Sequence, residues 1–349
     1  MISNRRSFLY CASIKAGIFR ATFDTQAGTI GEPTLLPETP KSFFLVRHPS
    51  LPVLYSLDIA GGKVGALSMA DDGGLTLLGE VDSEGAAPCH LVVDPAGRFV
   101  VVANYNGGVS LFGLNADGHL SPAASVYQPT GSSIDPERQA GPHPHGVTLI
   151  GELVYVADLG IDRIIALRVE CDPLRLTPVP EHDVTVCPGA GPRHFTLHRS
   201  GRAAVAVNEL NNTVTAFRVD PANSANGSLH AEGTLSTLPT GYEGVSWTAE
   251  LDFHPSVDIC YATNRGHDSL ALFSIDPETA ELRAGPIIPC NGVQPQHFVF
   301  DSSGTTLFVA CSGSNSVPVF RVNRETGIPL EQIGKLEVVS PMGLLWVDI

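Results

Sequence analysis

Short apolar runs, broken by turns and never long enough for a helical stripe, set the rhythm of this chain. Residues 191–219, GPRHFTLHRSGRAAVAVNELNNTVTAFRV, show the pattern most clearly. The apolar positions predict a strand over Phe195–His198, a turn at Arg199-Ser200-Gly201-Arg202, a second strand over Ala203–Asn208 and an alternating third over Thr213–Val219. Chemistry-bearing residues flank this unit at two places, Arg193-His194 before the first strand and Asn208-Glu209 after the second. In an antiparallel hairpin those two places lie at the same end. Arg193, His194 and Glu209 are therefore expected to point into one shared volume.

The same unit recurs along the chain. Copies start near Pro88, His143, Trp247 and Gln296, each running through a strand ending in Asn104, Asp158, Asn264 or Cys311 and then a third strand. A weaker copy begins at Phe43, and an N-terminal copy keeps only the later strands, Phe8–Cys11 and Gly17–Thr22. That makes seven copies, spaced about 45 to 56 residues apart, the period of a four-stranded propeller blade. The first copy lacks its first strand, and Gly343–Asp348 is a lone strand with nothing after it to pair with. Placing that strand in the N-terminal blade closes the ring and removes its open edges. The expectation is an all-β, seven-bladed β-propeller, a single domain over residues 1–349 closed by its C-terminal strand. Two insertions break the rhythm. Residues 127–144 are polar and rich in Gly and Pro and should reach the same end as Arg193, while a Ser/Asn/Gly tract at 223–228 suits a surface hairpin tip.

Blade geometry then sorts the polar residues. The positions before the first strand and after the second face one mouth of the central channel: His90, Asn104, Asn106, His143, His145, Asp158, Arg193, His194, Asn208, Glu209, Asn264, Arg265, His267, Gln296 and His297. The opposite mouth reads as hairpin turns such as Asp94-Pro-Ala-Gly97 and Asp301-Ser-Ser-Gly304. His90, His194 and His297 share one frame, so a structural bond to the neighbouring blade competes with a functional role. The repeated Asn that ends each second strand equally suits a loop cap. Repetition does not account for Glu209, for Arg265 with His267, or for His143 with His145. Acid, base and cation at one mouth suit hydrolysis or lactone formation at a carboxyl centre, which needs a proton acceptor and positive charge for the oxyanion. The oxygens of Asn104, Asn208, Glu209 and Asn264 offer a rival metal site, and His143-x-His145 a weaker one for zinc. No nucleophile elbow, phosphate-binding loop or dinucleotide fingerprint occurs.

Composition narrows the choice. A net charge of −15 disfavours binding to nucleic acid or an anionic membrane through a general positive field. Lysine is scarce, so an anion site has to be built from arginine. Seven scattered Cys without CxxC spacing speak against a disulfide framework and for a reduced, cytoplasmic setting. No apolar run has the length of a membrane span. Arg5-Arg6 resembles a twin-arginine export signal, but the following apolar stretch is short, contains Lys15 and equally fits a strand.

Several of these motifs resemble one family: Pro136-Glu-Arg-Gln139 leading to Gly141-Pro-His-Pro-His-Gly146, Tyr155-Val-Ala-Asp-Leu-Gly160, Gly191-Pro-Arg-His194, Val207-Asn-Glu-Leu210, Thr263-Asn-Arg-Gly-His-Asp268 and Pro295-Gln-His-Phe298. The sequence is similar to the seven-bladed lactonases, which include bacterial propeller-type 6-phosphogluconolactonase and fungal carboxy-cis,cis-muconate cyclase. The resemblance implies chemistry on a small, anionic lactone without metal or other cofactor. It places the catalytic groups on His145, Arg193, Glu209 and Arg265. Arg138 on the 127–144 loop, with His143, Asp158, His194, Asn208, His267 and His297, completes the candidate substrate-binding set. One departure is Gln296, where the resemblance expects Arg. Hydrolysis of 6-phosphogluconolactone or a close relative leads the readings. A muconate-type cycloisomerase and a non-catalytic binding propeller are the alternatives.

Overall fold

The computed structural model describes residues 7–24, 29–220 and 227–349; among these every strand joins one of seven antiparallel sheets. Arg5-Arg6 and most of the 223–228 tract lie outside the described residues. The strands of the opening unit are Pro192–Leu197, Ala203–Asn208 and Thr213–Val219, with Leu229–Ser236 as the fourth. Six sheets use strands consecutive in sequence. The seventh takes its innermost strand from Pro341–Asp348, which pairs antiparallel with Ser7–Ser13. Each innermost strand packs against the next around the circle, from Pro341–Asp348 through Phe44–Arg47 and back. The seven-bladed propeller and its C-terminal closure are as the repeat predicts. No α-helix occurs among the described residues, and no helix is long and apolar enough to cross a membrane.

There is no single core. Seven apolar clusters each lie mainly between two neighbouring blades, as where Tyr155, Ala157 and Ile164 meet Phe195, Ala206 and Phe217. Strands buried on both faces explain why second strands such as Ala203–Asn208 read as continuous apolar runs. A polar clasp supplements this packing. Tyr10, Tyr55, Tyr155 and Tyr261 occupy one frame of their second strands. Each donates its hydroxyl to a glycine carbonyl in an outer turn of the following blade, at Gly73, Gly118, Gly227 and Gly327.

Innermost strands share a second device. Their pairing shifts register near the mouth, between Pro144 and Gly146, Pro192 and His194, and Pro295 and His297. The extra residue of such a bulge leaves the ladder and re-aims its side chain. His145, Arg193 and Gln296 are those residues. The next position forms a ring around the channel: Phe44, His90, Gly146, His194, Glu250, His297 and Gly343. Glycine is needed at position 146, because a Cβ there would lie 2.6 Å from the Arg193 carbonyl oxygen and 3.2 Å from the His194 ring.

Candidate active site

Glu209 follows Asn208, the last residue of its strand, and its backbone N–H donates to the Gly191 carbonyl just before the bulged Arg193. Its buried carboxylate meets three guanidiniums. Arg138 Nη2 donates to Oε1 at 2.7 Å, Arg265 Nη2 lies 2.8 Å from Oε2, and Arg193 Nε lies 3.1 Å from Oε2. The Arg193 contact has ion-pair distance without hydrogen-bond alignment, since Nε finds no aligned acceptor. Burial would raise the Glu209 pKa, but Arg265, Arg193 and Arg138 outweigh it and hold the carboxyl below its usual range. Burial first, and then Arg265, pulls the Arg193 pKa down.

Arg138 reaches this cluster from the 127–144 loop, as the insertion predicts. Asp135 caps that loop by accepting from the N–H groups of Glu137 and Arg138, and the buried Gln139 donates to the Leu159 carbonyl. Tyr105 braces the other side. Its hydroxyl is 3.3 Å from Arg138 Nη2, and its ring stacks on His143 at 4.3 Å. His143 Nδ1 bonds the Tyr105 carbonyl, and its N–H donates to Asp158 Oδ1.

His145 is buried at the edge of His194 and Tyr105, with ring centroids 5.5 and 5.6 Å away. Burial, Arg193 and His194 hold its pKa well below the usual imidazole value, so the ring is neutral at physiological pH, and its Nδ1 has no hydrogen-bond partner. Beside His194 the channel holds a cavity of about 340 Å³, lined by residues of all seven innermost strands, His90, His194, Glu250 and His297 among them.

Arg138, Arg193, Glu209 and Arg265 are thus in direct contact, with His145 beside them through His194. The other candidates are placed differently. Asp158 braces a loop through the N–H groups of His143 and Gly160, and burial pushes its carboxyl up to about 7. Asn208 donates to Thr213 and Thr215, and Asn104 and Asn264 make equivalent bonds in their own blades. His267 bonds Ser269 and meets Tyr242 edge-on. His297 lies in the channel ring, accepting the Leu344 N–H at Nδ1. Gln296 donates to Ser312 Oγ at 3.1 Å. Among the described residues no group of three or more His, Cys, Asp or Glu is arranged to hold a metal ion.

Sequence reasoning missed two residues, Tyr105 and Glu250. Tyr105 holds the frame of Glu209 and Arg265, directly after the strand-ending Asn, and Glu250 holds the ring frame of His90, His194 and His297. The repeat alignment carried the signal for both. Histidines also occur at the opposite mouth, which the pattern described only as turns. His48 and His254 accept turn N–H groups at Nδ1, as does His198, so they serve those turns.

The profile of the family described as "Lactonase, 7-bladed beta-propeller" matches residues 8–346. The chain belongs to this lactonase family. A 6-phosphogluconolactonase from Bacillus subtilis (strain 168) is 30% identical over 317 residues, 89% of this chain and 88% of that protein. One from Formosa agariphila is 30% identical over 325 residues, 89% of this chain and 90% of that protein. Among solved structures, a periplasmic gluconolactonase from Pseudomonas aeruginosa superposes with a TM-score of 0.92 at 26% identity, covering 98% of this chain and 99% of the other. The match to the seven-bladed lactonase profile and to this solved structure thus runs along nearly the whole chain.

Proposed function

We propose that the protein is a hydrolase of anionic sugar lactones, with 6-phosphogluconolactone or a close relative as substrate. One observation carries the reading: three arginines converge on a single buried carboxylate at the mouth. That cluster holds two positive charges more than Glu209 neutralises. A lactone bearing a phosphate or carboxylate, and developing an oxyanion at its carbonyl, supplies the missing negative charge.

Chemical roles follow from the electrostatics. Both Glu209 oxygens are engaged by arginines, so this carboxylate serves to hold the three guanidiniums rather than to take a proton. His145 is neutral, with Nδ1 unengaged, and fits the base that takes a proton from water. The water oxygen then bonds the lactone carbonyl carbon, whose oxygen becomes an anion held by Arg193 and Arg265. Collapse breaks the bond to the ring oxygen, which leaves as a hydroxyl with the proton returned from His145. Arg138, on the loop, contacts the distal anion. In this reading no metal takes part.

The test is hydrolysis of 6-phosphogluconolactone above its spontaneous rate, followed by proton release. Wild-type protein at the background rate sinks the proposal. Gln296, replacing the arginine that the family resemblance anticipates, supports a second reading in which the substrate lacks a phosphate dianion. Unphosphorylated gluconolactone, or a carboxymuconate followed by ultraviolet loss of its diene, would then turn over faster.

A further inference from the structure

We propose that Glu250 is a positioning residue for Arg193, acting through His194 by reversing that imidazole's tautomer. The inference rests on the lactonase reading for its kinetic consequence, not for its geometry.

Sister blades set the reference. The ring histidines His90 and His297 each accept, at Nδ1, the backbone N–H of the next blade's innermost strand, from Val147 and Leu344. Both are therefore protonated at Nε2. The corresponding N–H beyond His194 is that of Leu251, and it takes a different partner. It donates to Glu250 Oε1 at 2.9 Å. The same oxygen lies 2.8 Å from His194 Nδ1. A carboxylate oxygen thus stands where a direct N–H to Nδ1 bond exists in the other two blades. Since a carboxylate only accepts, His194 must carry its proton on Nδ1 and leave Nε2 bare. Glu250 Oε2 is 3.3 Å from His297 Nε2, the protonated nitrogen of that ring.

The bare Nε2 has a use. Arg193 Nη1 lies 3.1 Å from it and donates 2.7 Å to the Ala249 carbonyl. Arginine has only donors, so both partners must accept. With the ordinary tautomer of the sister blades, an N–H would face an N–H, and Arg193 would lose one of the two acceptors that aim it toward Glu209. Glu250 holds that geometry from the channel side, one side chain away from the mouth.

The experiment combines histidine nitrogen NMR of the 15N-labelled full chain with steady-state hydrolysis of 6-phosphogluconolactone. In wild-type protein His194 is expected to be protonated at Nδ1, with His90 and His297 protonated at Nε2. Glu250→Ala lets the Leu251 N–H reach Nδ1 as in the sister blades, so His194 reverts to the Nε2–H form. Its kcat then falls about tenfold to a hundredfold, with KM within about threefold. Glu250→Gln, which keeps an acceptor oxygen, is read the same way: kcat follows the Nδ1–H signal. Wild-type His194 protonated at Nε2 overturns the proposal without any variant. So does a variant that loses the Nδ1–H signal yet keeps kcat within threefold, or keeps the signal yet loses more than tenfold. A wild type with the expected tautomer and no lactone turnover removes the hydrolase reading alone.

Discussion

Lowering the pH from 7 to 5.5 perturbs the buried histidines of the channel and mouth selectively. In the unfolded chain each imidazole binds a proton as the pH falls through about 6.5. In the folded protein His90, His145 and His194 stay neutral, because burial first, and then positive neighbours including Arg193, hold their pKa values well below normal. The unfolded state therefore binds more protons, and stability drops with acid. Over this window each histidine contributes a loss of about 1.2 kcal/mol. Asp158 acts in the opposite sense. With its carboxyl pushed up to about 7 by burial, it is protonated only in the folded state across this window and returns about 1.6 kcal/mol. Asp252 is also pushed up to about 7, but its side chain is exposed to the channel, so its offset is small and is countered by the lowered pKa of His297. The net expected loss from these groups is about 2 kcal/mol; the lowered pKa values of His48, His198 and His254 add to it, and the raised pKa of Asp183 offsets part of that addition. Urea unfolding at pH 7 and 5.5 measures it. His90→Gln, which keeps an acceptor for the Val147 N–H, should reduce the loss to about 1 kcal/mol. Equal or greater stability at pH 5.5 would refute the reasoning.

Other expectations concern the site and the clasps. Arg193→Ala and Glu209→Gln should each lower kcat/KM on 6-phosphogluconolactone by about a hundredfold or more in initial-rate assays. Glu209→Gln should also cost about 3 kcal/mol in denaturant unfolding, because three guanidiniums lose their shared counter-charge. Dialysis against a chelator should leave turnover unchanged, and a fall beyond tenfold that zinc or calcium restores would return the metal reading. Tyr55→Phe should cost about 1 kcal/mol in urea through loss of the bond to Gly118 while leaving KM unchanged.

Much of this molecule was legible because repetition amplifies weak signals. Seven imperfect copies located strands that no single copy would place securely, and the unpaired Gly343–Asp348 run pointed to the ring closure. Sorting by strand end brought Arg193, Glu209 and Arg265 to one mouth, where they meet. Direction within that end was harder to read. Asn208 and Asp158 end strands beside the mouth, yet the Asn208 amide turns to the next strand of its own blade and the Asp158 carboxylate to the loop it braces, because buried amides and carboxylates first satisfy nearby donors and acceptors. Glu250 escaped notice because its strand reads as Trp-Thr-Ala-Glu-Leu-Asp-Phe, without the histidine of its sister blades. The bulge that aims Arg193 leaves no trace in an apolar pattern. It exists only in the pairing of Pro192 with Asn208 and of His194 with Val207.

The closing strand has a consequence for biosynthesis. Ser7–Ser13 is made first among the described strands, yet the partner for its inner edge, Pro341–Asp348, is made last. At ordinary translation speeds that edge waits roughly 20 seconds to a minute on the ribosome before the partner exists. Six blades can assemble in order behind it, but the circle itself cannot close until Pro341–Asp348 has been made, and the waiting edge is where a nascent chain of this protein is most open to mispairing or to a chaperone.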